Sequence, residues 1–301
     1  MVNLDYKLLS ALNAVIEQQS FELAAEKLCV SQPAISLRLK NLEEKLGQPV
    51  VIRGQPITAT AAGEKLLSHY KMVQQLENDL MTNLFPTIAT KPVKISLAVN
   101  ADSIATWFFD AMAPILKSNL VEMNLLITNG AESLDKLRSG QAVGAVINLE
   151  SPLPGYRSFK LGEMNYILVA SKDFQKKYFS HGVNKATLKM APGITYDHKD
   201  NMHMHFISQH FDLDPSQYYC HKISSSEAFV DLAKRSLAYC LIPQLQIEKE
   251  LANGELINLC PELQVIETLY WHSWVLVKGL NKQISQQIVA YGQQVLQKSC
   301  C

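Results

Sequence analysis

Gln32, Ser36 and Lys40 stand four residues apart, with Ser31, Pro33 and Arg38 among them. On a helix, that spacing aligns a carboxamide, a hydroxyl and an ammonium group along one face. A carboxamide can bond the adenine edge twice, a guanidinium or ammonium can meet guanine or phosphate, and a hydroxyl suits either. No nucleophile elbow, P-loop, dinucleotide-binding glycine motif or HExxH pattern occurs in the chain. The chemistry on offer is recognition, so no catalytic residue and no enzyme activity is expected.

These groups need a rigid helix behind them. Ser31 stands where an N-cap belongs, Pro33 fits the first turn, and Gly47 fits the stop. Ile35, Leu39, Leu42 and Leu46 form the opposite, apolar stripe. A short helical pattern precedes it at Phe21, Ala24, Ala25 and Leu28, and another at Leu8, Leu9, Leu12, Val15 and Ile16. Two helices meeting across small alanines make a helix-turn-helix, whose second helix enters the major groove N-terminus first. An ordinary helical hairpin would show the same periodicity. Residues 50–60, punctuated by Pro49, Gly54 and Pro56, read as a β-hairpin wing carrying Arg53. The chain has 28 basic and 28 acidic residues, but they are unevenly spread. Residues 31–60 hold Arg38, Lys40, Lys45 and Arg53 against Glu43 and Glu44, a small excess beside the recognition face.

A long helix is predicted over Ala61–Leu84, with Leu66, Tyr70, Val73, Leu76, Leu80 and Leu84 as a narrow stripe suited to pairing with a second copy. Lys65, Ser68, Lys71, Gln75, Asn78 and Asp79 form its polar face. Residues 85–92 read as a linker. Beyond them, short β-branched runs alternate with helical patterns, which predicts parallel sheets covered by helices in two lobes. The expected division is a DNA-binding unit over 1–65, a linker helix and hinge over 61–92, and an effector domain over 93–301. Its lobe I would comprise 93–162 and 268–301, and its lobe II 163–267. The fold class is α/β overall, with a two-lobed effector domain of the periplasmic-binding-protein type.

Ligands of open α/β sheets bind beyond the carboxyl ends of the strands. Asn100, Asp102, Ser103, Thr128, Asn129, Asn148, Asp197, Ser226 and Glu227 fall at such ends or at the helix starts that follow them. They would suit a zwitterion with an added positive charge, although strand-end capping accounts for any one of them equally well. Five histidines crowd residues 198–221 (His198, His203, His205, His210 and His221) without metal-ligand spacing on a helix, so no metal is expected. The six cysteines are scattered with no CxxC pair, as free thiols would be. No run reaches the about 20 apolar residues of a membrane span, and the N-terminus does not read as a secretory signal. A cytoplasmic protein with no membrane partner is expected.

The combination Ser20-Phe21, Ala24-Ala25, Leu28, Ser31-Gln32-Pro33-Ala34-Ile35-Ser36, Leu42-Glu43, Leu46-Gly47, Arg53, Thr60 and Gly63 resembles the LysR-type transcriptional regulators. The resemblance is sharpest over residues 1–66 and spans the chain. The stretches LGQPVVIRGQP, AVNADSIATWF and SSSEAFVDLAKRSLAYCLIPQLQIEKELANGELI are similar to the lysine- and arginine-responsive members of that family. The resemblance implies promoter DNA as partner, a homodimer or homotetramer, RNA polymerase as a further partner, and L-lysine or L-arginine as effector. It also implies control of basic amino-acid transport or metabolism genes. One departure is local: many members carry a second wing arginine where Gly54-Gln55-Pro56 stands here. A family member with a different effector, or a cytosolic solute-binding module without promoter activity, are the alternatives.

Overall fold

The computed structural model describes residues 4–84, 92–196 and 201–296. Helices α1 (Tyr6–Gln18), α2 (Phe21–Lys27) and α3 (Gln32–Leu46) form the N-terminal unit. Asp5 caps α1 through the Lys7 amide at 2.9 Å, and Ser20 caps α2 through the Leu23 amide at 3.3 Å. Cys29 takes a left-handed backbone (φ 53°) in the turn between α2 and α3, and Gly47 (φ 68°) stops α3. Ser31 occupies the N-cap position of α3, but its side chain makes no capping bond and lies exposed. Leu9, Leu12, Ala24, Ala25, Ile35, Leu39 and Leu42 are buried together, so one apolar core locks the three helices at fixed angles.

The wing is a two-stranded antiparallel ribbon, β1 (Val51–Ile52) and β2 (Thr58–Ala59). Gln19 Nε2 donates to the Ile57 carbonyl at 2.8 Å, tying the wing to the end of α1. Helix α4 (Ala61–Leu84) follows, and Thr60 Oγ1 accepts from the Gly63 amide in its first turn. A Cβ at Gly63 would stand 2.1 Å from the Val50 carbonyl oxygen, so only glycine lets α4 pass this close to the wing. Leu67 and Tyr70 pack into the core of the N-terminal unit, whereas Leu80 and Met81 are exposed. The stripe read as a pairing face is thus divided: its first half packs on the chain's own N-terminal unit. The polar face is also not wholly in water, for Ser68 is buried and its Oγ donates to the Arg138 carbonyl at 2.6 Å.

The remainder runs β3 (Val93–Val99), α5 (Ala101–Thr106), α6 (Phe108–Ser118), β4 (Val121–Ile127), α7 (Gly130–Arg138) and β5 (Gly144–Ile147). There follow β6 (Tyr156–Ser171), α8 (Lys172–Tyr178), α9 (Lys185–Met190), β7 (Gly193–Thr195), α10 (Asn201–Phe211) and β8 (Cys220–Lys222). The chain closes with α11 (Ser226–Lys234), β9 (Cys240–Pro243), α12 (Glu248–Asn253), β10 (Leu256–Asn258), β11 (Val265–Trp274) and α13 (Gly279–Leu296). Strands β3, β4 and β5 are parallel, as are β7 and β8, in keeping with the alternating pattern. The expectation of purely parallel sheets fails at β6 and β11, which pair antiparallel and connect the two lobes. One sheet therefore runs β10-β6-β11-β5-β3-β4, with β9 also on β6. A large core follows it, including Trp107, Phe108, Phe174, Tyr239 and Trp271, with smaller clusters around Ile194 and Phe229 and around Leu137 and Ile147. Burial pushes the Cys240 thiol up to about 12 and that of Cys260 up to about 11, so both stay protonated at neutral pH. Among the described residues, no helix is long and apolar enough to cross a membrane.

Candidate nucleic-acid interface and inter-lobe cleft

On α3, Ser31, Gln32, Pro33 and Lys40 are exposed, and Ser36 and Arg38 are half-buried. Gln32 Nε2 lies 3.3 Å from Ser36 Oγ, so the two side chains form one polar surface on the first turns of the helix. Among the described residues Lys40 approaches Glu44, at 3.7 Å, with both side chains mostly in solvent, which leaves it easily diverted to a phosphate. Arg53 is exposed on the wing, its guanidinium 5.5 Å from the Phe21 ring centroid. Leu37, 58% exposed on the same helix, is a residue of this surface that the sequence reading passed over. It lies outside the stripe Ile35–Leu39–Leu42, which is the signal that could have found it. An apolar side chain there can meet a thymine methyl group.

The second cluster lies where β3 ends and β6 crosses between the lobes. Asp102 is in the first turn of α5. Its Oδ2 accepts from Tyr166 OH at 2.8 Å on β6, and its Oδ1 accepts from Ser226 Oγ at 2.7 Å at the start of α11. The Ser226 hydroxyl also lies 2.9 Å from Gln246 Oε1, and Gln246 Nε2 donates to the Ser226 carbonyl at 3.1 Å. One carboxylate thus joins the first lobe, the crossing strand and the second lobe. Beside it, the fully buried Ser103 Oγ and the buried Asn100 Oδ1 have no hydrogen-bond partner among the described residues. Leaving such groups unpaired costs about 1–3 kcal/mol each, which a bound polar molecule would recover.

The other candidates are spread more widely. Thr128 Oγ1 bonds Ser133 Oγ at 2.8 Å within the first lobe. Asn129 is the exposed N-cap of α7 and makes no side-chain capping bond. Asn148 Nδ2 donates to Glu267 Oε1 at 3.2 Å. Glu227 is exposed and accepts from Ser225 Oγ at 2.9 Å. Asp197 and His198 lie outside the described residues. His203 is buried with its Nε2 3.6 Å from Cys220 Sγ, whereas His205, His210 and His221 are exposed. Among the described residues no three ligating groups gather as a metal site. Tyr166 and Gln246 were missed from the sequence, because nothing local marks a strand residue as the partner of a group 64 positions away, or a turn residue as the partner of one 20 positions away.

Two family models match in the order the fold requires. Residues 6–64 match the bacterial regulatory helix-turn-helix protein, lysR family, and residues 95–277 match the LysR substrate binding domain. The chain belongs to the LysR family. It is 48% identical over 297 residues, 99% of each chain, to the HTH-type transcriptional regulator ArgP of Aeromonas salmonicida. Its fold matches the crystal structure of ArgP from Mycobacterium tuberculosis with a TM-score of 0.85 and 32% identity, over 96% of this chain and 98% of that one. It also matches full-length LysG of Corynebacterium glutamicum with bound effector Arg, with a TM-score of 0.77 and 26% identity, over 97% and 99% of the two chains. As a LysR-type protein it is a DNA-binding transcriptional regulator that responds to a small-molecule effector, not an enzyme. The winged helix-turn-helix over α1–α3, β1 and β2 is its DNA-binding unit, and the two-lobed α/β part is its effector domain.

Proposed function

We propose that this LysR-type regulator senses a basic amino acid, L-arginine or L-lysine, between its lobes and so controls basic amino-acid transport or metabolism genes. The observation that carries the reading is the Asp102 carboxylate bridging the lobes beside the unpartnered Asn100 and Ser103. An acidic group there favours an ammonium or guanidinium, and the two polar groups suit the rest of an amino acid. The effector Arg bound by LysG and the 48% identity to an ArgP protein support the same choice. An incoming cation would compete with the Ser226 hydroxyl for Asp102. Exchange of that bond would reset the closure of the lobes, and an effector acts only through such a difference between states. Asn129, Asn148 and Glu227 belong to the wider rim in this reading.

The same proposal assigns residues 1–65 to DNA binding, 61–92 to the linker and 93–301 to effector binding. Gln32 reads a base, Ser31, Pro33 and Ser36 pack beside it, and Arg38, Lys40 and Arg53 hold phosphate. The exposed end of α4, with Leu80 and Met81, pairs with a second copy, and two such dimers build a tetramer. A promoter-bound regulator of this kind acts in the cytoplasm, within reach of RNA polymerase. Calorimetric titration of the full-length protein with each of the twenty amino acids tests the effector assignment. Saturable binding of arginine or lysine, with the neutral and acidic amino acids silent, is expected. Binding confined to other amino acids would overturn it.

A further inference from the structure

A cavity of about 580 Å3 lies between α4, the end of α1 and the first lobe, away from the inter-lobe cleft. Small-molecule sites span about 300–1,000 Å3, so the space is ample for a metabolite. Polar groups line much of it: Lys71 and Gln75 from α4, Ser96 and Asn124 from β3 and β4, and the first turn of α13. Three charged side chains reach it. Glu17 is paired with Lys27 at 2.6 Å, and Lys94 with Glu122 at 3.0 Å. Lys71 has no hydrogen-bond or ion-pair partner among the described residues, although it is half-buried. Desolvation holds its ammonium below the ordinary lysine value, with Glu17 opposing the shift and Lys136 adding to it. One turn further along α4, Gln75 Nε2 is buried without an acceptor. The 18-residue helix α13 begins at the same cavity, and its first-turn N–H groups add partial positive charge.

A half-buried lysine with no hydrogen bond or ion pair among the described residues, a carboxamide donor without an acceptor and the positive end of a long helix all favour a negatively charged acceptor. We propose that this cavity binds a small carboxylate anion that ties the first lobe to the linker helix. Helix α4 carries the DNA-binding unit, and the first lobe carries Asp102. An anion held between them is therefore a second input, which sets how firmly effector binding is transmitted to the DNA-binding unit. The proposal stands whether or not the inter-lobe cleft takes a basic amino acid. Inorganic phosphate offers similar oxygen acceptors, so it forms the second arm of the test.

Full-length protein in low-chloride buffer is titrated calorimetrically with succinate and, separately, with inorganic phosphate. Saturable succinate binding is expected in the wild type, weakened at least about tenfold by Lys71→Met, the loss of one charge-assisted bond. Gln75→Leu, which keeps side-chain volume, should weaken it several-fold and serves if Lys71→Met does not fold. Retained promoter binding by either variant shows that its fold is intact. Absence of succinate binding, binding of phosphate alone, or succinate affinity unchanged by both substitutions would overturn the proposal.

Discussion

Asp102→Ala is expected to weaken arginine or lysine binding by roughly 10- to 100-fold, because hydrogen bonds to a charged group contribute about 1.5–3 kcal/mol. Effector-free affinity for promoter DNA should stay within about twofold, since α3 and the wing share no contact with this carboxylate. The effect is large because Asp102 has several functions at once. Its two oxygens hold Tyr166 on the crossing strand and Ser226 on the second lobe, so alanine removes both the bridge and the charge. Asp102→Asn separates these roles. The amide oxygen can still accept one hydroxyl, but the attraction for an ammonium is gone. If charge selects the ligand, calorimetry will find Asp102→Asn nearly as weak as Asp102→Ala. Wild-type affinity in Asp102→Asn would reduce the residue to a structural bridge.

Gln32→Ala should flatten base preference at one position of each half-site, costing about 1–3 kcal/mol against the preferred base and little against the others. Gln32 is exposed at the tip of α3, held only by the 3.3 Å contact to Ser36, so its removal leaves the core of Ile35, Leu39 and Leu42 intact. Lys40→Ala should behave differently. A side chain that meets phosphate is expected to weaken binding to every sequence alike and reduce the salt slope by about 1. A binding-site selection with each variant, followed by titrations at several salt concentrations, separates the two. Unchanged preference in Gln32→Ala would move base reading elsewhere, with the exposed Leu37 next in line.

The DNA-binding unit was readable because its signals are local. Ser20, Gly47 and the stripe through Ile35, Leu39 and Leu42 lie within one or two turns of what they control. The lobes were legible as alternating segments, but the strands that join them were not. Strand β6 was visible only in its second half, because Gly162 (φ 145°) interrupts its apolar pattern. The register shift in β11 falls beside it, between Leu269 and Tyr270. Strand β11 itself was hidden by polarity: Glu267, Thr268, His272 and Ser273 break its apolar run. Yet His272 is fully buried, with its Nε2 2.8 Å from the Leu149 carbonyl oxygen, and desolvation lowers its pKa. That bond spans 123 residues, and no local pattern records it.

The same limit governs the cleft. Asp102 and Ser226 were legible as strand-end and helix-start groups, but their meeting depends on a contact across 124 residues. Tyr166 and Gln246 reach the same cluster only through contacts 64 and 20 residues long. The polar face of α4 was legible too, but not that it turns Ser68 and Lys71 toward the first lobe.

The central claim is that a basic amino acid held between the lobes changes how the winged helices grip a promoter. A footprint of the full-length protein on its own promoter, with and without saturating arginine or lysine, tests it most directly. The expected result is a shift in the length of the protected region or in the hypersensitive positions that mark a bend, absent with a neutral amino acid. Identical footprints under all three conditions, with the amino acid shown to be bound, would contradict it.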